Sequence, residues 1–239
     1  MSAALPEVVS DAEVVESFGD LGVLAFTTGR SNGSFGTGTD EPVRDVMARW
    51  SALRAVVGGG DARLATAIQV HGDRIIEHEE GWQGWLRGPN ADGHISRARG
   101  TAMAVTVADC VPVFLAHPSG ATAALHSGWR GTAARITSRA LERFIALGMP
   151  ASEVRLHCGP SICGQCYEVS PDVYGQLTGL AVSAPTPVDL RALIADHARQ
   201  HGVRTISISE RCTRCDNDRF YSHRAGDAGR QLGIIFASA

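Results

Sequence analysis

Residues 101–131 read TAMAVTVADCVPVFLAHPSGATAALHSGWRG. Three apolar, strand-like runs follow one another here, at 102–107, 111–116 and 122–125, each short and rich in residues that fit a pleated, half-buried surface. The gaps between them are a few residues long, so the runs are expected to be antiparallel neighbours or bends; a parallel pair needs a crossover of a dozen residues or more. Working outward, further strands are expected at 22–28, 64–70, 74–78, 154–158, 203–208 and 233–236. Helices are expected at 43–57, where Val46, Trp50, Leu53 and Val57 recur at three and four residues before the glycines at 58–60, and at 133–147, which ends at Gly148 and Pro150. Ser170 before Pro171 is a candidate N-cap for a short helix toward Leu177, and 190–201 forms another helix ending at Gly202. Residues 29–39 are dense in Gly, Ser, Thr and Asn and read as a loop outside the core. Strands arrive in clusters and helices are few, which points to an α+β fold: one domain over residues 1–239 with mixed, largely antiparallel sheets and flanking helices.

Bulk properties narrow the function classes. With 239 residues and 44% hydrophobic content the chain can bury a full core. The net charge of −3 is spread without long runs, which argues against nucleic-acid binding and for a small polar substrate. Residues 1–16 carry acidic groups and no Lys or Arg, unlike a signal peptide, and no apolar run approaches the length of a membrane span. A cytoplasmic location is expected, with no membrane partner. Six cysteines in that reducing setting read as thiols, metal ligands or nucleophiles more than as disulfides.

Three apolar runs each deliver a metal-capable side chain at their end: Gln69-Val70-His71-Gly72, Ala108-Asp109-Cys110 and Leu125-His126-Ser127. Two imidazoles and a thiolate suit zinc, and three protein ligands leave the fourth tetrahedral position open, as catalysis requires. The intervals of 38 and 15 residues match no short zinc motif. By residue type alone, the histidines also fit hydrogen-bonded turn positions and Cys110 a small buried hydrophobe. Cys110 as a nucleophile with His126 as its base, without metal, uses the same atoms.

The wider pattern resembles a known family. Gln69-Val70-His71-Gly72, then Ala108-Asp109-Cys110-Val111-Pro112-Val113, His126-Ser127-Gly128-Trp129-Arg130-Gly131, and Gly159-Pro160-Ser161-Ile162 with Tyr167-Glu168-Val169 stand in the order seen in the YfiH-like, or laccase-domain, family. Cys212-Thr213, Phe220-Tyr221-Ser222-His223-Arg224 and Gly229-Arg230 resemble its C-terminal signature, so the likeness runs from about residue 22 to the end. The resemblance implies that His71, Cys110 and His126 are zinc ligands and the catalytic centre. It further implies purine nucleoside phosphorylase activity on adenosine, inosine and guanosine, with adenosine deaminase and methylthioadenosine phosphorylase activities. Members are also described as polyphenol oxidases, with copper, and as peptidoglycan editing factors acting on cell-wall precursors.

Elementary chemistry ranks these activities. A multicopper oxidase needs many paired histidines; the nine here are scattered, with no HxH pair, so a single His-Cys-His centre would need a different copper chemistry. Phosphorolysis needs cations to place phosphate, and Arg130 and Arg224 are the basic candidates, with a structural ion pair as the alternative for each. Arg30 is a third candidate substrate contact, one position displaced from the arginine of the family's N-terminal loop. For deamination, Asp109 beside Cys110 is a candidate proton shuttle or structural group, its side chain expected to point away from Cys110 if the segment is extended. Purine nucleosides and phosphate are therefore the expected partners. Finally, Cys163, Cys166, Cys212 and Cys215 form two CxxC pairs, readable as a closed structural zinc site or as free thiols. The reading leans to free thiols because no motif spans all four.

Overall fold

The computed structural model describes residue 9 and residues 11–57 and 63–238. Its elements are β1 (Glu13–Val14), β2 (Val23–Thr27), α1 (Val43–Val56), β3 (Arg63–Ala67), β4 (Ile75–His78), β5 (Trp85–Gly88), β6 (Gly93–Ser96), β7 (Thr101–Val107), β8 (Val111–Ala116), β9 (Thr122–Ser127), α2 (Trp129–Ala133), α3 (Ile136–Ala146), β10 (Arg155–Cys158), β11 (Glu168–Val169), α4 (Pro171–Thr178), β12 (Thr186–Pro187), α5 (Leu190–Gln200), β13 (Thr205–Ile208) and β14 (Gln231–Ala237). The glycines expected to close the first helix, at 58–60, lie outside the described residues, as does most of the acidic N-terminal stretch.

The architecture is α+β. One six-stranded sheet has the order β1-β2-β14-β7-β3-β5 and a second the order β13-β10-β8-β9-β6-β4; β11 and β12 pair separately. Both large sheets are mixed: β3 runs parallel to β5 and β7, β4 to β6, and β10 to β13, and the remaining pairs are antiparallel.

Period-two alternation sorts the strand residues into layers. On β7, Met103, Val105 and Val107 face the second sheet, meeting Phe114 and Ala116 of β8 and Ala124 of β9. Ala102 and Ala104 face the other way, onto Val46, Trp50 and Leu53 of α1. On the far side of the second sheet, Val111, Val113, Leu115, Ala123 and Leu125 pack on Ile136, Ala140 and Phe144 of α3 and Ile194 and Ala198 of α5. The result is helix, sheet, sheet, helix, with three apolar layers between. Gly233 on β14 faces the inner layer, where a Cβ would stand 2.8 Å from Pro112 and 3.1 Å from the Phe114 ring; the absent side chain lets β8 come close.

Several boundaries differ from the sequence expectation, each for a visible reason. The strand expected over 64–70 ends at Ala67, because the N–H groups of Val70 and Gly72 turn aside to Asp92. The helix expected over 133–147 begins only at Ile136, because Arg135 stands in the left-handed region at φ 59°, and the short α2 that ends at Ala133 is a separate helix before it. β5 and β6 lie in a stretch read only as a connection; four residues each leave little alternation to detect. Residues 29–39 are also not wholly outside the core: Phe35 is buried, its ring edge-on to Trp50 at 5.4 Å, and the Trp50 indole N–H donates to the Phe35 carbonyl. One aromatic anchor outweighs the polar composition around it. No helix of the described residues is long and apolar enough to cross a membrane.

Phe114 is fully buried between the two sheets, so Phe114→Ala is expected to destabilise the fold by about 3–5 kcal/mol in equilibrium chemical denaturation. A loss below about 1 kcal/mol would show that the inner layer does not hold the sheets together.

Candidate metal centre and cavity

Between β3 and β9 the chain passes repeatedly from one sheet to the other. His71 lies on the crossing from β3 to β4, and Cys110 on the crossing from β7 to β8. His126 sits near the end of β9, opposite Pro112 of β8. These turns bring the ligand atoms of His71, Cys110 and His126 within 4.8 Å of one another. His71 is exposed, Cys110 half-buried and His126 3% exposed, so the cluster opens on one side.

Asp92, which the sequence reading did not single out, organises this cluster. It is wholly buried just before β6. Its Oδ1 accepts from His126 Nδ1 at 2.7 Å and from the His71 backbone N–H at 2.9 Å, and its Oδ2 accepts from the N–H groups of Gly72 at 2.7 Å and Val70 at 3.1 Å. One carboxylate therefore orients one ligand ring and fixes the turn that carries another. That turn needs fixing, because His71 has φ 60°, a region costing on the order of 1–3 kcal/mol for a residue with a side chain. In sequence the only signal was an Asp-Gly turn, and nothing local shows such a carboxylate to be buried.

The crossing before Cys110 is built the same way. Asp109 has φ 77°, so the segment is a turn, and the side-chain direction reasoned for an extended segment does not apply. Its carboxylate accepts from the Thr213 hydroxyl at 2.6 Å and the Arg224 backbone N–H at 2.7 Å, an anchoring role that ties the turn to the C-terminal loop. Close approach is completed by Gly128, where a Cβ would stand 2.8 Å from Cys110 Sγ and 3.4 Å from the His71 ring.

Electrostatics follow from this packing. Burial raises the Cys110 thiol, but the charge and hydrogen bonds of His126 and His71 outweigh it and bring its pKa down to about 6. Burial lowers the His126 imidazole, but the Cys110 charge and the Asp92 hydrogen bond more than reverse this and raise it to about 9. The metal-free pair thus favours thiolate and imidazolium at neutral pH. A thiolate and two imidazoles, one already fixed through Nδ1 by a carboxylate, form a donor set suited to a divalent transition metal.

The cluster lines a cavity of about 570 Å³ together with Arg130, Tyr167, His223, Arg224 and Arg230. The Arg130 guanidinium lies 4.3 Å over the Trp129 ring, and that of Arg224 lies 5.1 Å over Tyr167 while donating to the Glu168 carbonyl. Both are positioned by stacking. Arg30 stands apart and does not line the cavity. Its guanidinium bonds Asp227 at 2.6 Å and the carbonyls of Asn217 and Phe220, and packs over Tyr221. These bonds tie the displaced arginine to the C-terminal loop. Arg230, quoted only as part of a motif, reaches the cavity instead. Burial, with the nearby Cys110 charge, pushes the Tyr167 phenol up to about 12, so it stays a hydrogen-bond donor at neutral pH.

Residues 22–238 match the family described as multi-copper polyphenol oxidoreductase laccase. The chain belongs to this laccase-domain family. It is 32% identical over 205 residues to purine nucleoside phosphorylase ORF3 of Streptomyces griseus, covering 82% of this chain and 83% of that one. It is 33% identical over 157 residues to adenosine deaminase RL5 from an unknown prokaryotic organism, covering 60% of this chain and 58% of that protein. In structure it resembles the hypothetical protein YfiH of Bacillus licheniformis, with a TM-score of 0.84, 22% identity, and coverage of 95% and 96%; that likeness concerns the fold.

Replacing Asp92 with Asn removes a charge-bearing acceptor from His126 and from three backbone N–H groups. Asp92→Asn is expected to weaken metal binding about 10–100-fold in a chelator-competition titration, with the circular dichroism spectrum retained. Unchanged affinity would mean that Asp92 does not orient the ligands.

Proposed function

We propose that this chain is a zinc-dependent purine nucleoside phosphorylase acting on adenosine, inosine and guanosine, with adenosine deaminase and methylthioadenosine phosphorylase activities at the same centre. The observation that carries this reading is the convergence of His71, Cys110 and His126 with Arg130, Arg224 and Arg230 on one cavity. Its volume lies in the range of small-molecule sites. The phosphorylase and deaminase names of the relatives support the substrate class.

Phosphorolysis forms a bond from a phosphate oxygen to C1′ of the sugar and breaks the bond from C1′ to the purine nitrogen. The bonding electrons leave with the base, which takes up a proton. Arg130 and Arg224 supply the charge and donors that hold phosphate, and Arg230, whose guanidinium also donates to the carbonyls of Asp227, Ala228 and Gly229, adds positive charge beside them. The Tyr167 hydroxyl, protonated at neutral pH, is a donor for phosphate oxygen or departing base. Zinc at the open-sided cluster would polarise an oxygen or nitrogen ligand as a Lewis acid. The Trp129 and Tyr167 rings hold the Arg130 and Arg224 guanidinium groups in place by stacking.

Phosphorolysis is favoured over deamination as the main reaction because, among the described residues, Asp109 is the one carboxylate lining the cavity. Its oxygens are held by Thr213 and Arg224, leaving it poorly placed to shuttle protons to a purine ring. Conventional multicopper oxidation also fits less well. Among the described residues the two groups of three or more potential ligands are this triad and a set of four cysteines, not a histidine-rich copper array. One arrangement favours a second reading: Cys110, His126 and Asp92 stand in the order of a nucleophile, base and orienting carboxylate. The approach of His71 to the same point argues for a metal instead.

Purified protein incubated with adenosine is expected to release adenine and the pentose 1-phosphate only when phosphate is present. Arg130→Ala and Arg224→Ala should raise the KM for phosphate, and His126→Ala should abolish turnover. Equal adenine release with and without phosphate would replace a phosphorylase with a hydrolase, and full activity in metal-depleted protein would favour the nucleophile reading.

A further inference from the structure

The two CxxC pairs lie far apart in the chain, Cys163 and Cys166 between β10 and β11, Cys212 and Cys215 between β13 and β14. The fold brings them together. All four sulfurs lie within 4.8 Å of one another, with Cys166 Sγ and Cys215 Sγ 3.5 Å apart. In a tetrahedral tetrathiolate with metal–sulfur distances of about 2.3 Å the sulfurs are about 3.8 Å apart, so sub-ångström shifts convert this cluster into such a site.

The backbone around the cluster is shaped for thiolates. The N–H groups of Cys163 and Cys215 both point at Cys212 Sγ, at 3.3 and 3.4 Å; such donors stabilise sulfur that carries negative charge. Each pair is presented by a tight turn: the Cys163 carbonyl accepts from the N–H groups of Cys166 and Tyr167, and the Cys212 carbonyl from Asp216. A bridge between Ser161 and Cys212, with Thr213 N–H donating to the Ser161 carbonyl at 3.1 Å, joins the two loops directly. None of the four cysteines is among the residues lining the cavity with His71, Cys110 and His126.

We propose that Cys163, Cys166, Cys212 and Cys215 bind a second zinc ion in a closed structural site, apart from the catalytic centre. Four protein ligands leave no open position, so this zinc takes no part in turnover. It clamps two loops that both serve the cavity. Cys166 immediately precedes Tyr167, and Thr213, next to Cys212, holds the Asp109 carboxylate that in turn accepts from Arg224. Without the clamp, the loops would rest on the bridge at Ser161 and Cys212, on sulfur hydrogen bonds, on the shared Asp109 anchor and on the bonds from Arg224 to the Glu168 carbonyl.

The test is metal analysis with zinc-edge X-ray absorption on protein purified under reducing conditions with zinc in the medium. The wild type is expected to hold two zinc ions per chain, with five sulfurs shared between them, the four of the clamp and Cys110. A His71→Ala, Cys110→Ala variant should retain one zinc bound by four sulfurs, and a Cys163→Ser, Cys215→Ser variant should retain one zinc with mixed nitrogen and sulfur ligands. Wild type with a single zinc carrying one sulfur overturns the proposal, whether or not the variants fold. So does loss of all zinc from a folded His71→Ala, Cys110→Ala protein, or a wild-type mass lighter by four hydrogens with both cysteine pairs oxidised. Failure of the catalytic centre alone would show differently, as one zinc with four sulfurs in the wild type.

Discussion

The Asp92 carboxylate is the constraint on which the rest of the site depends. A buried, ionised carboxylate is costly unless its oxygens are satisfied, and here His126 and the N–H groups of Val70, His71 and Gly72 satisfy it. Burial pushes its pKa up, but the His126 hydrogen bond and those from Gly72 and Val70 outweigh that and keep it below the usual carboxylate value. The interaction works in both directions. The loop supplies the donors that let the charge be buried, and the charge holds His71 at a φ of 60° that it would not otherwise adopt. The same carboxylate leaves only Nε2 of His126 to face the cluster.

The sheet arrangement explains why such an anchor is needed. His71 and Cys110 are carried by crossings between the two sheets, where no ladder of strand hydrogen bonds defines the backbone. Both crossings contain a residue in the left-handed region, His71 and Asp109, and at both a buried carboxylate supplies the missing order. The strain therefore sits next to the chemistry, and the rigid layers on either side resist its relaxation. The arginines are ordered in a different way, by stacking on Trp129 and Tyr167. In the proposed phosphorolysis, the cationic groups that hold phosphate are thereby in place before it binds.

The sequence showed the fold class where periodicity is local. The runs at 102–107, 111–116 and 122–125 correspond to β7, β8 and β9 because each is apolar on both faces, between the sheets and under the helices. It did not show β5 and β6, short strands whose pairing partners come from distant or interleaved segments, nor the break at Arg135, which depends on one backbone angle. His71, Cys110 and His126 stood out because each follows an apolar run and matches a family motif. Asp92 did not, because its importance lies in burial and in bonds to residues 20 or more positions away. Arg30 was singled out from its position in a motif, whereas its guanidinium is engaged by Asp227. The four cysteines were visible as two pairs, but their meeting is a product of the tertiary fold.

The most direct test of the account is a crystal structure of the zinc-loaded protein with a purine nucleoside and a phosphate analogue, using anomalous scattering at the zinc edge. The account predicts an anomalous peak bonded to His71, Cys110 and His126, Asp92 still on the far nitrogen of His126, and the anion beside Arg130 and Arg224 in the same cavity. Absence of metal between those three side chains, or nucleoside and anion bound away from them, would contradict it.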